Sequence, residues 1–195
     1  MIIDMPLPNA ALWYAPEFLS PTEANSLFAY LQSDKNIAWR QDTIRMFGKP
    51  MLIPRLSAWY GNEDASYTYS GLTLQPNAWT DELLSIKQKI ETISGAIFNS
   101  VLLNFYRHGQ DSMGWHADDE PELGKMPTIA SLSLGAERRF LLRAKNNHRQ
   151  QHEVKLNNGS LLVMSGNTQH YWQHAIPKTM RPTEPRINLT FRQIK

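Results

Sequence analysis

From Asn99 onward the chain is a succession of short β-type runs, at residues 99–107, 127–135, 139–144, 152–156, 160–165, 169–175 and 186–192, separated by turn residues. Strands so short and so numerous need a sandwich or a barrel to bury their apolar faces. Helical patterning is confined to the first half of the chain. Ser20-Pro21-Thr22-Glu23 joins a capping box to a proline at the first helical position, and Ala24, Leu27, Phe28 and Leu31 then share a face, which predicts a helix over 20–31. A second helix is expected from Thr80, with Asp81 and Glu82 in its first turn, Leu83, Ile86, Ile90 and Ile93 at helical spacing, and Gly95 placed to stop it. Residues 40–75 are strand-like but broken by Gly48, Pro50, Pro54 and Gly61, so they read as hairpins and loops laid over the main sheets. The expected fold is mainly β with flanking helices, an antiparallel double sheet of the jelly-roll kind.

With 195 residues, 42% of them hydrophobic and 19% charged, the chain has length for one full core and too little for two, so one domain over 1–195 is expected. Cysteine is absent, which excludes disulfides, thiolate metal sites, iron–sulfur clusters and a cysteine nucleophile. Any metal must rest on histidine and carboxylate. No apolar run approaches membrane-spanning length, and the first residues lack a secretory pattern, so a cytoplasmic monomer without a membrane partner is expected. The formal charge of +2 conceals an asymmetry: residues 134–195 carry 11 basic and 3 acidic groups, a net +8. A region that basic favours a polyanionic partner; a solvated basic face is the bland alternative.

His116-Ala117-Asp118 is the strongest local signal, because residues two apart on a strand point the same way and can offer imidazole and carboxylate to one ion. Such pairs also arise by chance. The final strand, Arg186-Ile187-Asn188-Leu189-Thr190-Phe191-Arg192, alternates polar and apolar without exception. It is either an edge strand with a solvated face, or a strand whose Arg186, Asn188, Thr190 and Arg192 enter a barrel and need anionic partners. In the second case the arginines, about 20 Å apart along the backbone, could grip opposite ends of a small dicarboxylate. Asn104 and Tyr106 share a strand face and could add hydrogen bonds to it. A facial triad needs another histidine. His148 and His152 lie in a polar stretch that reads as a solvated loop, whereas His170 and His174 fall on one face of the 169–175 run, and spacing does not choose between them.

Taken together, Asn104-x-Tyr106, His116-x-Asp118-Asp119-Glu120, Ile129-Ala-Ser-Leu-Ser-Leu-Gly135, His174-x-x-Pro177 and Pro185-Arg-x-Asn-Leu-Thr-Phe-Arg192 resemble the AlkB family of iron(II)- and 2-oxoglutarate-dependent nucleic-acid dealkylases, and are most similar to its vertebrate members that act on methylated DNA and RNA. Phe47-Gly48-Lys49, Pro54-Arg55 with Tyr60-Gly61, and Tyr67-Thr68-Tyr69-Ser70-Gly71 extend the resemblance upstream. It implies a double-stranded β-helix with a catalytic core over 99–195 and a nucleotide-recognition lid over 40–75. His116, Asp118 and His174 are then the iron ligands. Arg186 would hold the distal carboxylate of 2-oxoglutarate, Arg192 would sit near its chelating end, and Asn104, Tyr106, Asn188 and Thr190 would line the co-substrate. Asp119 and Glu120 match positions that read the lesion base, Tyr67 and Tyr69 match aromatic positions beside a flipped base, and Phe47 matches a finger that fills the gap in the stack. Arg55 would touch a phosphate or the pocket rim. Lys145, Arg149, Lys178 and Arg181 would follow the sugar-phosphate backbone.

The implied reaction uses O2, iron(II) and 2-oxoglutarate to hydroxylate the N-methyl group of 1-methyladenine or 3-methylcytosine in DNA, with RNA as a further substrate, and to release formaldehyde. Flipping is required, because a methyl group inside a duplex cannot reach a buried ion. A protein side-chain hydroxylase would keep the triad and Arg186 without needing an aromatic pocket or a basic surface. A non-catalytic nucleic-acid-binding jelly roll would need neither the full ligand set nor the co-substrate contacts. The sequence has almost no extension before its first helix, so no targeting segment is expected.

Overall fold

A computed structural model describes residues 1–46, 48–65, 67–69, 72–181 and 183–195, with all their side chains except those of residues 45, 46, 67–69 and 72–74. The first half holds β1 (Ile3–Asp4), β2 (Ala11–Ala15), α1 (Pro21–Gln32), the hairpin β3 (Thr43–Met46) and β4 (Lys49–Leu52), β5 (Leu56–Gly61), the hairpin β6 (Tyr67–Tyr69) and β7 (Leu72–Leu74), and α2 (Asp81–Ser94). The second half holds β8 (Ser100–Tyr106), β9 (Met113–His116), β10 (Ile129–Gly135), β11 (Arg138–Ala144), β12 (Gln151–Leu156), β13 (Ser160–Ser165), the single turn α3 (Thr168–Tyr171), β14 (Trp172–Ile176) and β15 (Arg186–Arg192). Two antiparallel sheets result, ordered β1-β2-β13-β10-β15-β8-β5 and β12-β11-β14-β9.

Alternation along the central strands sorts their residues between two apolar layers. Ile187, Leu189 and Phe191 of β15 join Leu132 and Leu134 of β10 and Val101, Leu103 and Phe105 of β8 in a core closed by Leu31 of α1 and Leu83, Ile86 and Ile90 of α2. The opposite face of the larger sheet turns toward the smaller one, whose Phe140, Leu142, Trp172 and Ile176 pack with Tyr106, Leu162 and Met164. Both helices start as their sequences require. The Ser20 side chain accepts the Glu23 N–H while the Glu23 carboxylate accepts the Ser20 N–H, and the Thr80 side chain caps α2 by accepting the Leu83 N–H. Gly95 ends α2 at φ 66°, in the left-handed region that favours glycine.

Several expectations change. β15 is no edge strand: it lies between β10 and β8, which satisfy its backbone on both sides. Residues 56–61, expected in the overlying hairpins, pair as β5 with β8 in the main sheet, and β2, which the sequence pattern did not reveal, pairs with β13. Ile93 is 38% exposed, outside the α2 face that reaches the core. The run 169–175 is not one strand. Thr168 Oγ1 accepts the Ala11 N–H at 3.0 Å and donates to the Ser165 carbonyl at 2.6 Å, closing α3 before β14 begins.

Candidate metal and co-substrate site

The inward residues of β15 fall in register with polar residues of both neighbours: Arg186 lies opposite Tyr106, and Asn188 opposite Asn104 and Ser133. Thr190 lies opposite Ser131. Facing them across the cavity are Phe140, His174, and the end of β9 with its following bend. β9 stops at His116, so Asp118 sits in the bend and not on the strand that its spacing suggested. His174 and His116 are direct partners across β14 and β9.

One ligand atom from each of His116, Asp118 and His174 lies within 4.8 Å of the other two. His174 Nε2 is 3.5 Å from Asp118 Oδ2, and its ring stacks on Phe140 at 5.1 Å between centroids. His116 Nδ1 lies 2.9 Å from the Gly114 carbonyl, which assigns that nitrogen the proton and leaves Nε2 free as a ligand. His170, the other candidate, is exposed on α3 against Tyr171 and outside the cluster.

Electrostatics put Asp118 and His174 in their ligand forms. Burial pushes the His174 imidazole down to about 3, aided by His116 and Arg192 and opposed by Asp118. Burial alone would raise the Asp118 carboxyl, but Arg192 and the two imidazoles outweigh it and hold that group below the usual carboxylate range. Arg192 also donates to Asp118 Oδ1. A carboxylate and two imidazoles without a sulfur ligand form a donor set suited to a divalent first-row metal such as iron(II).

Arg186 is 1% exposed and donates from Nη2 to Ser133 Oγ at 2.9 Å, while its Nε and Nη1 have no partner among the described residues. Its guanidinium lies 5.1 Å from the Tyr106 ring centre, and burial lowers it only to about 10, so it stays charged at neutral pH. A buried cation with two idle donors fits a carboxylate entering the cavity.

Other expected residues have protein partners. Asn188 donates to Ser131 Oγ at 2.8 Å and to the Leu132 carbonyl at 3.0 Å, and accepts from Thr190 at 3.0 Å, so both residues brace the wall. Arg55 turns inward, donating to Asn104 Oδ1 at 2.7 Å and to the Ser112 carbonyl at 3.1 Å. Asp119 is exposed and paired with Lys145 at 2.7 Å. Glu120 and Glu122 line a second cavity of about 230 Å³ that shares Leu102 and Arg192 with the first, and each carboxylate has a buried oxygen without a partner among the described residues. Phe47 lies outside the described residues, as do the side chains of Tyr67 and Tyr69. Sequence reasoning missed Ser131, Ser133, Phe140, Gln169 and Glu122. Only the serines left a signal, a Ser-x-Ser spacing that sets both on the inward face of β10.

A two-sheet β fold with a facial His-Asp-His cluster and a buried arginine defines a non-haem iron oxygenase framework. The 2OG-Fe(II) oxygenase superfamily model matches residues 11–192, and the chain belongs to that family. Within it, the chain is 44% identical over 188 residues to the Bos taurus alpha-ketoglutarate-dependent dioxygenase alkB homolog 3, covering 92% of this chain and 64% of that protein. It is 39% identical over 180 residues to the Mus musculus DNA oxidative demethylase ALKBH2, covering 88% of this chain and 75% of that protein. The chain thus spans a little under two thirds of the alkB homolog 3 relatives. The solved structure of OsALKBH1 shares the fold, with a TM-score of 0.67 at 21% identity, over 97% of this chain and 100% of that one.

Proposed function

We propose that this protein is an oxidative demethylase of N-methylated nucleobases. The observation that carries this is the shared cavity: His116, Asp118 and His174 face one another at one side, and Arg186 presents at the other two donors without a partner among the described residues. His116, Asp118 and His174 would hold iron(II), and Arg186 the distal carboxylate of 2-oxoglutarate, with Tyr106 beside it. When bound, this pair supplies O2-dependent hydroxylation of a methyl C–H with loss of CO2 and formation of succinate, and the hydroxymethylated base then sheds formaldehyde. Arg192 fixes the Asp118 carboxylate, Phe140 packs the His174 ring, and Arg55 holds Asn104 against the cavity. Asp118, His174 and Arg186 are buried, which strengthens their charged contacts.

The adjoining cavity supports a base as the substrate. Glu120 and Glu122 offer, beside Trp59, acceptors without partners among the described residues, an environment suited to the exocyclic amine and positive ring charge of 1-methyladenine or 3-methylcytosine. Phe47, Tyr67 and Tyr69 would complete the pocket and the stack, and exposed Arg149, Lys178 and Arg181 would meet phosphates of DNA or RNA. The relatives' names, an alpha-ketoglutarate-dependent dioxygenase and a DNA oxidative demethylase, support the same reading. The test measures succinate and formaldehyde with methylated and unmethylated oligonucleotides as single-stranded DNA, duplex DNA and RNA. Equal amounts of the two products, seen only with methylated strands, are expected. Succinate formation indifferent to every oligonucleotide would refute the base as substrate.

A further inference from the structure

Asp118 poses a problem that its own strand does not solve. β9 ends at His116, so the Asp118 backbone N–H has no sheet partner, yet the residue is 2% exposed. A buried N–H without an acceptor is among the costlier defects a fold can carry. The acceptor comes from far along the chain: Gln169 Oε1 takes this N–H at 2.9 Å, and Gln169 is itself 1% exposed. The other end of the same amide is also constrained, since Nε2 donates to Met164 Sδ at 3.4 Å and Met164 lines the triad cavity.

Gln169 lies on α3, the turn that leads directly into β14 and His174. That turn is anchored on both sides, by Thr168 to Ala11 and Ser165, and by Trp172 Nε1 to the Pro8 carbonyl at 2.9 Å. One amide therefore ties the segment that carries the third ligand to the bend that carries the second. We infer that Gln169 is a positioning residue for the metal centre, holding the Asp118 backbone so that its carboxylate meets His116 and His174 at ligand distance. Arg192 orients the carboxylate and Gln169 places the backbone beneath it, so that neither constraint replaces the other.

The inference rests on the triad being the metal site, and the experiment separates the two. Mn(II) binding to the metal-free full chain is measured by calorimetry in the presence of 2-oxoglutarate, with the melting temperature of the metal-free protein recorded in parallel. Gln169→Met keeps length and removes the acceptor; Gln169→Glu keeps an acceptor oxygen at the same reach. The Met variant should bind Mn(II) about 10- to 100-fold more weakly, the range for lost support of a ligand, and the Glu variant should recover most of that loss. If wild type binds no Mn(II), the triad assignment fails. If wild type binds and both variants match it, or both lose affinity equally, Gln169 does not act through its acceptor and the inference falls. A Met variant whose metal-free form melts far lower, while Glu restores the melting temperature without restoring affinity, assigns Gln169 to folding alone and overturns it as well.

Discussion

The Arg186 guanidinium, 1% exposed and with two nitrogens lacking a partner among the described residues, is an incomplete interaction. Completing it is the role assigned to 2-oxoglutarate, so Arg186→Met should remove a charge-assisted contact that contributes about 1.5–3 kcal/mol. That corresponds to a roughly 10- to 150-fold higher KM for 2-oxoglutarate, with the oligonucleotide KM little changed. Titrating each substrate separately checks this, and equal losses for both would place Arg186 at the nucleic acid instead. The two histidines of the 169–175 run should separate as sharply. His174→Ala takes one of three ligands from a buried site and should abolish metal binding and turnover, whereas His170→Ala changes an exposed ring on α3 and should leave both near wild type. Metal content after dialysis is the measurement.

Among the elements, α1 carries the most locally specified start. Its capping box is extended by Lys89 of α2, whose Nζ lies 2.8 Å from Glu23 Oε1, so one carboxylate closes the helix N-terminus and links two helices. Ser20→Ala should lower stability by about 1 kcal/mol, seen as a fall of roughly 2–4 °C in melting temperature for a chain of this size. Hydrogen bonds from Lys89 and Ser20 hold the Glu23 carboxyl at about 2, below its ordinary 4.5. A lowered folded value means that the unfolded chain binds the proton first as pH falls. The Glu23 contribution is therefore complete above about 4.5 and disappears as pH drops through about 2. Acid titration of wild type against Glu23→Gln should show the two melting temperatures converging across that window.

For the molecule as a whole, charge distribution matters more than net charge. The +8 of residues 134–195 includes groups already engaged, Lys145 with Asp119 and Arg139 with Glu153, alongside the exposed Arg149, Lys178 and Arg181. If these three meet phosphates, binding of a methylated single strand should weaken steeply with salt, and the double variant Lys178→Ala/Arg181→Ala should flatten the slope of log K against log[salt] by about 0.7 per lost contact. The 2-oxoglutarate KM should stay unchanged, because both residues lie outside the co-substrate cavity. A slope identical to wild type would return this face to ordinary solvation.

The features legible in the chain were those set by neighbouring residues. Capping at Ser20 and Thr80, the stop at Gly95 and the strict alternation over 186–192 depend on contacts within a turn or two, and each appears where its residues place it. The resemblance also named His116, Asp118 and His174, which the fold draws into one cluster. Alternation alone could not tell which face of β15 is enclosed. Both are buried, and pairing with β10 and β8 turned a possible edge into an interior strand of the sheet. Nor could spacing show that His170 leaves the face of His174, because α3 is closed by a bond to Ala11, 157 residues away. Gln169 on the Asp118 backbone spans 51 residues, Ser133 on Arg186 spans 53, and Arg55 on Asn104 spans 49. Such contacts join residues far apart in the chain, so only strand pairing and tertiary packing bring them together.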